Sequence, residues 1–239
     1  MIILSIDTST DACSAAVSSN GSIITAGGEP LCRLQRTDSE HARLLPVFVE
    51  DLVRQASAEG LRPDAVAVCA GPGSYTGLRI GASFAKGLAY GLRIPLVAVP
   101  TLQVMAAAAK AKLASQPDRS NLQYCPMIDA RRMEVYTAVY DDCLAEKKSA
   151  WAEVVTENSF SEELLANSIV FFGNGMPKCQ PLLQQHKNAL FIEGIVPNAA
   201  YMGSLAEQLI ASGKTVDVAY WTPAYLKEFE AKHSVVKGL

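Results

Sequence analysis

Two short turn segments contain the polar residues whose types and spacing could bind a phosphate. In the first, Asp7, Thr8 and Ser9 follow an apolar run at residues 2–6 that is typical of a buried strand. A carboxylate beside hydroxyl groups at such a turn could hold a metal-bound phosphate. Asp, Ser and Thr also stabilise tight turns by hydrogen bonding to their own backbone. The local sequence supports both interpretations.

The second segment is Gly-Pro-Gly-Ser at residues 71–74, between a predicted strand and a predicted helix. Free backbone N–H groups and the helix dipole favour anions at a helix N-terminus, so Gly71, Gly73 and Ser74 could form a phosphate loop. The segment matches neither GxxxxGK[ST] nor GxGxxG. The alternative is a tight strand-to-helix turn that uses the permissive dihedral angles of glycine.

Two pairs of basic residues could also contact a ligand. Arg79 and Lys86 lie on the helix predicted after the glycine segment, and Arg131 and Arg132 follow Asp129. Each pair could meet a phosphate or a partner's carboxylate, although exposed basic residues are usually only solvated.

The histidines do not form a metal site in this sequence. They are His41, His186 and His233, and none is spaced with another histidine or with a cysteine as metal ligands are. No segment resembles a nucleophile elbow either. The sequence therefore predicts no zinc or iron site and no Ser–His–Asp triad.

The elements that must position these residues follow the order β-β-β-α-β-α-β over residues 1–101. Asn20-Gly21 predicts a hairpin between the second and third strands. Thr37 and Glu40 fit a capping box at the start of the first helix. Strands are predicted at 2–6, 13–18, 22–26, 65–70 and 96–99, and helices at 39–58 and 76–92.

The pattern then restarts. IDTSTDACSAAV and IDARRMEVYTAV align Asp7 with Asp129 and Val17 with Val139 at one offset, and a strand ending in a Gly-x-Gly loop occurs twice, as AVCAGPG and VFFGNG. We infer an internal duplication of a β-β-β-α-β-α unit, and hence a two-lobed α/β fold with a central cleft.

The lobes are predicted to divide after residue 101. Residues 1–101 form the first lobe, and residues 102–239 form a second, smaller lobe that begins with a predicted helix at 102–114 and a linker at 116–121. Asn198 is predicted to cap a last helix at about 199–212, which we expect to pack back on the first lobe. In the tail that follows Tyr220, we also expect the segment WTPAYLK to pack against the folded chain.

The helix at 76–92 carries a stripe of very small residues. Gly77, Gly81, Ala85 and Ala89 recur every four residues and so share one face. A phosphate loop needs glycine only at the helix start, so the later positions need a packing explanation. Such a stripe lets another helix approach closely, either the helix at 39–58 or one from another subunit. We expect a mixture of both, with the helix pair forming an exposed interface.

The composition restricts the classes of function. The 239 residues include 49% apolar and 19% charged residues, as in a packed globular protein, and the net charge is −3. Without a basic stripe, binding to nucleic acid needs a partner. Six cysteines without a CxxC pair predict reduced thiols in the cytoplasm. No apolar run of 18 residues predicts a membrane span, and the N-terminus is predicted to be a first strand rather than a signal peptide.

Four segments together closely resemble the bacterial TsaB (YeaZ) family: ILSIDTST, SEHARLLP, GPGSYTGLRIGASFAKGLAYGLRIPLVAVPTL and DARRMEVY. The resemblance implies the ASKHA fold of acetate and sugar kinases, heat-shock chaperones and actin, which is ribonuclease H-like. It also implies an accessory subunit in making N6-threonylcarbamoyladenosine at position 37 of tRNA. In that pathway the paralogue TsaD transfers the threonylcarbamoyl group, the ATPase TsaE supports turnover, and tRNA binds only through the complex.

The resemblance also bears on metal binding. Proteins of the TsaD type carry a segment like GVNHLEGH, whose two histidines hold the metal. The aligned segment here is AVPTLQVM, with Thr101 and Met105 at the histidine positions. Threonine is a poor ligand for such a metal and methionine a soft one, so we expect no metal and no cofactor. The chain is then expected to have no catalytic residues and not to be an enzyme.

In the family, helices of the first lobe pair with the catalytic paralogue, and the same surface can self-associate as a homodimer. Carried over, this surface covers 39–58 and 76–92. The residues expected to contact the partner are Leu45, Phe48, Leu52, Gly77, Gly81, Ala85 and Leu88.

Two enzymatic alternatives remain open. One is a small ASKHA-type phosphotransferase, which would bind ATP between the Asp7-Thr8-Ser9 turn and the glycine loops. If the chain is an accessory subunit instead, the same segments are vestigial nucleotide or phosphate loops. Against it, Ala130, Arg131 and Arg132 replace the hydroxyl residues in the second lobe. The other is a peptidase, which needs metal ligands that this sequence lacks.

Overall fold

Each lobe of the chain is built on one mixed sheet. A computed structural model describes residues 1–37, 39–114 and 122–226. The linker predicted at 116–121, His233 and the end of the tail lie outside these residues. In the first lobe the strands are β1 (Ile2–Asp7), β2 (Ala12–Ser19), β3 (Ser22–Ile23), β4 (Thr25–Ala26), β5 (Glu29–Pro30), β6 (Cys32–Arg36), β7 (Ala65–Cys69) and β8 (Leu96–Val99).

The first sheet has the order β3-β2-β1-β7-β8, and β6 also pairs with β2. β1 runs antiparallel to β2 and parallel to β7, and β7 runs parallel to β8. Every residue of β7 is buried. Central parallel strands are covered on both faces, which explains why the sequence of β7 is an unbroken apolar run.

The second sheet repeats this arrangement. Its order is β11-β10-β9-β12-β13, with β9 antiparallel to β10 and parallel to β12. Because each lobe has the same strand order and directions, the predicted duplication is confirmed. The second-lobe strands are β9 (Leu122–Asp129), β10 (Glu134–Tyr140), β11 (Glu146–Val154), β12 (Ser168–Phe172) and β13 (Ala189–Phe191).

Equivalent residues occupy equivalent places in the two lobes. Asp7 ends β1 and Asp129 ends β9. Gly71 follows β7 and Gly173 follows β12, with left-handed φ angles of 101° and 103°. A residue with a side chain rarely adopts such angles, so both positions require glycine.

Helices cover both faces of the first sheet. On one face, α1 (His41–Ala58) and α2 (Tyr75–Leu92) pack on a core that includes Leu4 and Val66. On the other face, α3 (Thr101–Leu113) and α6 (Gly203–Ala211) pack near Ile3. The second lobe contains α4 (Ser161–Ala166) and α5 (Met176–Leu183). Because α3 adds residues to the cores of both sheets, a division after residue 101 stays a proposal.

The third long strand of the first lobe was predicted wrongly. The Asn20-Gly21 hairpin forms, but β3 ends at Ile23, and the strand that pairs along β2 is β6. The sequence of β6, CRLQR, is mostly polar because it is a half-exposed edge strand. The Arg33 guanidinium reaches the carboxylate of Asp51 on α1 at 2.6 Å and ties this edge to the helix.

Two helix termini also differ from expectation. The Thr37 hydroxyl accepts the backbone N–H of Glu40 at 2.9 Å, whereas the Glu40 carboxylate pairs with Arg43 and not with Thr37, so only half of the capping box forms. The helix predicted at 199–212 is interrupted at Met202, whose buried side chain joins the first-lobe core. A 3₁₀ turn, Ala199–Tyr201, precedes α6.

Candidate functional site: the first-lobe turns and the groove between α1 and α2

Asp7 lies at the end of β1 and is fully buried. Its carboxylate accepts the backbone N–H of Ser9 at 3.1 Å, and the thiol of Cys69 is a second neighbour. Burial raises the pKa of Asp7 above its ordinary value. The next residues continue the same pattern, since the Thr10 hydroxyl accepts the N–H of Ala12. These contacts are those of a turn that stabilises its own backbone.

The glycine segment packs directly on this turn. The N–H of Ser74 donates to the carbonyl of Ser9 at 2.7 Å, and a Cβ added to Gly73 would overlap that same carbonyl. The Ser74 hydroxyl accepts the N–H of Gly77 and so caps α2. The two predicted loops therefore lie together and are in direct contact at Ser9 and Gly73.

A C-terminal strap, defined as residues 216–226, covers the glycine segment from outside. It begins where the N–H of Val216 donates to Leu96 at 2.9 Å, and Trp221 packs on the core beneath α1 and α2. Further on, the N–H of Ala224 donates to the carbonyl of Ala70 at 2.8 Å. The carbonyl of Ala224 lies against Gly71, 2.5 Å from where a Cβ would be. The expected docking of this segment is confirmed for residues 221–226.

Thr101 and Met105, at the positions of the paralogue's metal ligands, take part in packing. The Thr101 hydroxyl accepts the N–H of Gly71 at 3.1 Å. The methyl group of Met105 lies 2.6 Å from the position of a Cβ added to Gly173. Both side chains are buried. Within the described ranges, no cluster of three or more His, Cys, Asp or Glu residues could hold a metal ion.

The second-lobe turn has a different charge arrangement. Asp129 is exposed and forms an ion pair with Lys178, and it also accepts the N–H of Arg131 at 2.9 Å. Arg131 and Arg132 both have left-handed φ angles, 75° and 48°, and exposed side chains. The carboxylate that corresponds to Asp7 is thus neutralised by a lysine instead of being buried.

The stripe of small residues on α2 faces the sheet. Gly77, Gly81, Ala85 and Ala89 are buried within the chain. The Thr8 hydroxyl donates to the carbonyl of Gly77 at 2.7 Å, and a Cβ added to Gly81 would overlap that hydroxyl. The Gly77 and Gly81 end of the stripe therefore contacts the turn after β1. Ala85 and Ala89 lie in the core that α1 also covers.

This packing corrects the predicted partner contacts. Gly77, Gly81 and Ala85 face the sheet and Leu52 of α1 is fully buried in the core, so these four residues are not open to a partner. Leu45 is buried as well, but it lines the groove described next, and its contact with a partner stays a proposal. Spacing identified the close approach correctly but could not say which neighbour required it. Phe48 and Leu88 are half-buried and remain predicted contacts.

The exposed side of the same helix pair forms an apolar groove of about 600 Å³. Its lining residues are Ala42, Leu45, Pro46, Tyr75, Thr76, Arg79, Ile80, Ser83 and Phe84. Further along α2, a Cβ added to Gly87 or Gly91 would meet no other atom within 4 Å, so both glycines face open space. Sequence reasoning missed this outward row, although Ser83, Gly87 and Gly91 also recur every four residues.

The chain is similar to proteins of tRNA modification. The family model described as "TsaD: tRNA N6-adenosine threonylcarbamoyltransferase" matches residues 35–235. The "tRNA threonylcarbamoyladenosine biosynthesis protein TsaB" of Escherichia coli (strain K12) is 34% identical over 236 residues, or 95% of each chain. A tRNA N6-adenosine threonylcarbamoyltransferase of Prosthecochloris aestuarii (strain DSM 271 / SK 413) is 36% identical over 111 residues, covering 41% of this chain and 31% of that protein. Similarity to the biosynthesis protein is full-length, and similarity to the transferase is partial.

Solved structures show the same relationship. "YeaZ from Pseudomonas aeruginosa" has a TM-score of 0.74 and 27% identity, covering 94% of this chain and 99% of that chain. A second structure, of "an uncharacterized protein with similarity to peptidase YEAZ from Pseudomonas aeruginosa", has a TM-score of 0.75 and 27% identity and covers 95% and 99%. Together with the repeated strand order, these similarities identify the ASKHA fold. No helix in the described part of the chain is long and apolar enough to cross a bilayer.

Proposed function

Because this chain belongs to the TsaB (YeaZ) family, we propose that it is a non-catalytic subunit that binds and activates a TsaD-type paralogue. Its role lies in the biosynthesis of threonylcarbamoyladenosine in tRNA. The paralogue transfers the threonylcarbamoyl group to adenosine 37, and this chain holds the paralogue in its active geometry.

The observation that carries the proposal is the exposed groove between α1 and α2. Of the nine described residues that line it, only Arg79 is charged, and most of the others are apolar. An apolar groove between two helices is the shape that receives the apolar face of another helix. Exposed apolar surface of this kind marks interaction sites on soluble proteins. The half-buried Phe48 and Leu88 extend this surface along both helices.

The first-lobe turns support a non-catalytic role. A phosphotransferase of this fold needs space for phosphates between the Asp7 turn and the glycine segment, and Ser9 and Gly73 are in direct contact there. A peptidase of this family needs metal ligands, and Thr101 and Met105 serve in packing instead. We therefore assign both sets of residues to the scaffold that holds α2 in place.

The remaining partners follow from the same assignment. With a net charge of −3, the chain approaches tRNA only within the complex. A TsaE-type ATPase joins the larger assembly, which works in the cytoplasm. A homodimer through the same groove competes with the paralogue, because one surface cannot bind both at once.

Titration of the full-length chain with the purified TsaD-type paralogue tests the proposal. Ser83→Trp and Ile80→Asp fill or charge the groove and should weaken binding by at least about tenfold, which is about 1.4 kcal/mol. Ser57→Trp is the matched control, because it places the same side chain at an exposed position of α1 outside the groove. Formation of the modified nucleoside in a reconstituted reaction should follow binding.

Three outcomes would contradict this function. If the wild-type chain does not bind the paralogue, the proposed function is wrong. Equal binding by Ser83→Trp and Ser57→Trp places the contact elsewhere. Specific binding of ATP by the isolated chain, abolished by Asp7→Asn, would favour the phosphotransferase. Thermal unfolding of each variant shows whether a loss of binding reflects a loss of folding.

A further inference from the structure

Among the described residues, Arg79 is the one charged residue that lines the groove. It lies on α2 one turn after Tyr75, and its guanidinium stands 4.2 Å from the centre of the Tyr75 ring. Its side chain is exposed at the rim, so the charge reaches solvent while the stem lies against aromatic surface.

The C-terminal strap fixes the position of this guanidinium. The Tyr225 ring packs on the Tyr75 ring with a centroid distance of 5.0 Å. A hydrogen bond with the Tyr225 hydroxyl raises the pKa of Arg79 above its ordinary value. The strap is itself anchored by the 2.8 Å bond from Ala224 to Ala70. A side chain held in this way loses little conformational freedom when it binds a partner.

The charge of Arg79 is not neutralised within the described parts of the chain. Other arginines of this region are paired: Arg33 and Arg54 with Asp51, and Arg43 with Glu40. No ion pair between described residues includes Arg79. The helix that carries it, α2, has no acidic residue. The groove therefore presents apolar surface along its length and one positive charge at its N-terminal end.

Resting on the proposed function, we propose that Arg79 is the anchor that receives a carboxylate from the partner's helix in this groove. The chemistry is that of an apolar helix face with one Asp or Glu near the Tyr75 end. The planar guanidinium can bind both oxygens of a carboxylate. Arginine and tyrosine are also the residue types that dominate binding energy at interfaces. One charge at one end sets the direction in which the partner helix lies, because the reversed helix leaves its carboxylate against apolar side chains.

A phosphate of tRNA could satisfy the same guanidinium, but the apolar residues beside it favour a protein helix. Ile80 and Phe84 continue the groove from Arg79. RNA surfaces bring a phosphate at every nucleotide and would need several cations in a row. Along α2 the next cation, Lys86, already donates to the carbonyl of Ala219 at 3.2 Å.

Titration of the full-length variants with the purified paralogue tests the anchor. Arg79→Gln should weaken binding by about tenfold or more, and Arg79→Lys should recover only part, because ammonium lacks the planar fork. Tyr225→Phe keeps the ring contact but removes the hydroxyl and should give a smaller loss. Arg93→Gln is the matched control, since it removes an exposed charge at the opposite end of α2. The loss in Arg79→Gln should shrink at high salt.

The outcomes separate this inference from the proposed function. If Arg79→Gln binds the paralogue as tightly as Arg93→Gln while Ile80→Asp does not bind, the groove is the interface but the anchor is overturned. If Arg79→Gln binds the paralogue normally and its complex loses affinity for tRNA, the group contacts RNA, which also overturns the anchor. If wild-type chain does not bind the paralogue, the proposed function fails first.

Discussion

The Thr8 hydroxyl donates a hydrogen bond of 2.7 Å to the carbonyl oxygen of Gly77. This bond joins the turn after β1 to the first turn of α2, and both residues are buried. Because this bond fixes the distance between α2 and the sheet, it also fixes the position of the outward side of the helix. The outward groove depends on that inward contact.

The glycines of α2 should differ in their tolerance of a methyl group. Gly77→Ala places a Cβ against the Thr8 carbonyl and should lower the free energy of unfolding by about 2–3 kcal/mol. Gly81→Ala overlaps only the Thr8 hydroxyl, with Val68 at an ordinary contact distance, and should cost about 1–2 kcal/mol. Gly87→Ala enters open space and should stabilise the helix by about 0.5–1 kcal/mol. Urea unfolding measures all three, and equal values would contradict the orientation of α2.

The Thr8 hydroxyl should contribute through its bond to Gly77. Thr8→Val is nearly isosteric and removes the donor, so we expect a loss of about 1 kcal/mol in the free energy of unfolding. Thr8→Ser retains the hydroxyl and is the control. A Thr8→Val chain as stable as wild type would show that the bond contributes nothing measurable.

Asp7 should make the chain less stable as the pH rises. Burial raises the folded pKa of Asp7 above its ordinary value of 3.8, so the folded chain holds this proton more tightly than the unfolded chain does. The stabilising contribution is full below about pH 4 and is lost as the pH rises through the folded pKa. Asp7→Asn cannot ionise and should therefore be more stable than wild type at neutral pH. Denaturation across this range should show the two chains converging in acid, and a constant difference would contradict the prediction.

Asp51 should show the opposite dependence. Hydrogen bonds from Gln55 and Arg54, with the Arg33 ion pair, lower the pKa of Asp51 to about 2. Its contribution is therefore present above about pH 4 and is lost as the pH falls towards 2. Because the site is at the surface, Asp51→Asn should cost less than about 1 kcal/mol at neutral pH. A double-mutant cycle with Arg33→Gln measures the coupling between β6 and α1, and zero coupling would show that the pair does not hold the edge strand.

Removing one N–H should release the C-terminal strap. Ala224→Pro deletes the donor to Ala70 and should speed amide hydrogen exchange in residues 216–226 and at Gly71, whose bond to Thr101 it overlies. Thr222→Ala keeps every backbone donor and is the control. Unchanged exchange at Gly71 in Ala224→Pro would mean that the strap does not protect this turn.

Buried strands were predictable, and the exposed edge was not. The strands at 65–70 and 96–99 match β7 and β8 within one residue, because burial on both faces requires an unbroken apolar run. β6 has no such requirement, since one side faces solvent, and its arginines and glutamine resemble a loop.

The site was predictable where contacts are local. The turns at Asp7 and Gly71 were located by residue type alone, and the duplication placed their counterparts in the second lobe. That Thr8 would fill the space beside Gly77, or that Ala224 would cover Gly71, depends on residues far apart in the chain. The spacing of residues within one helix cannot predict contacts with residues so far away in the sequence.

The order of synthesis gives the packing of α6 a consequence for how the chain matures. Ile3 and Val97 lie on the face of the first sheet that Met202 and Leu205 cover. Because a chain leaves the ribosome N-terminus first, α3 can cover part of that face early, but the part beneath Met202 and Leu205 stays exposed to solvent until α6 has been made. The groove between α1 and α2 is complete in sequence long before. The first lobe thus begins to form early but is fully covered only when α6 packs on it. A chain truncated before α6 would leave this apolar surface exposed to chaperones and proteases.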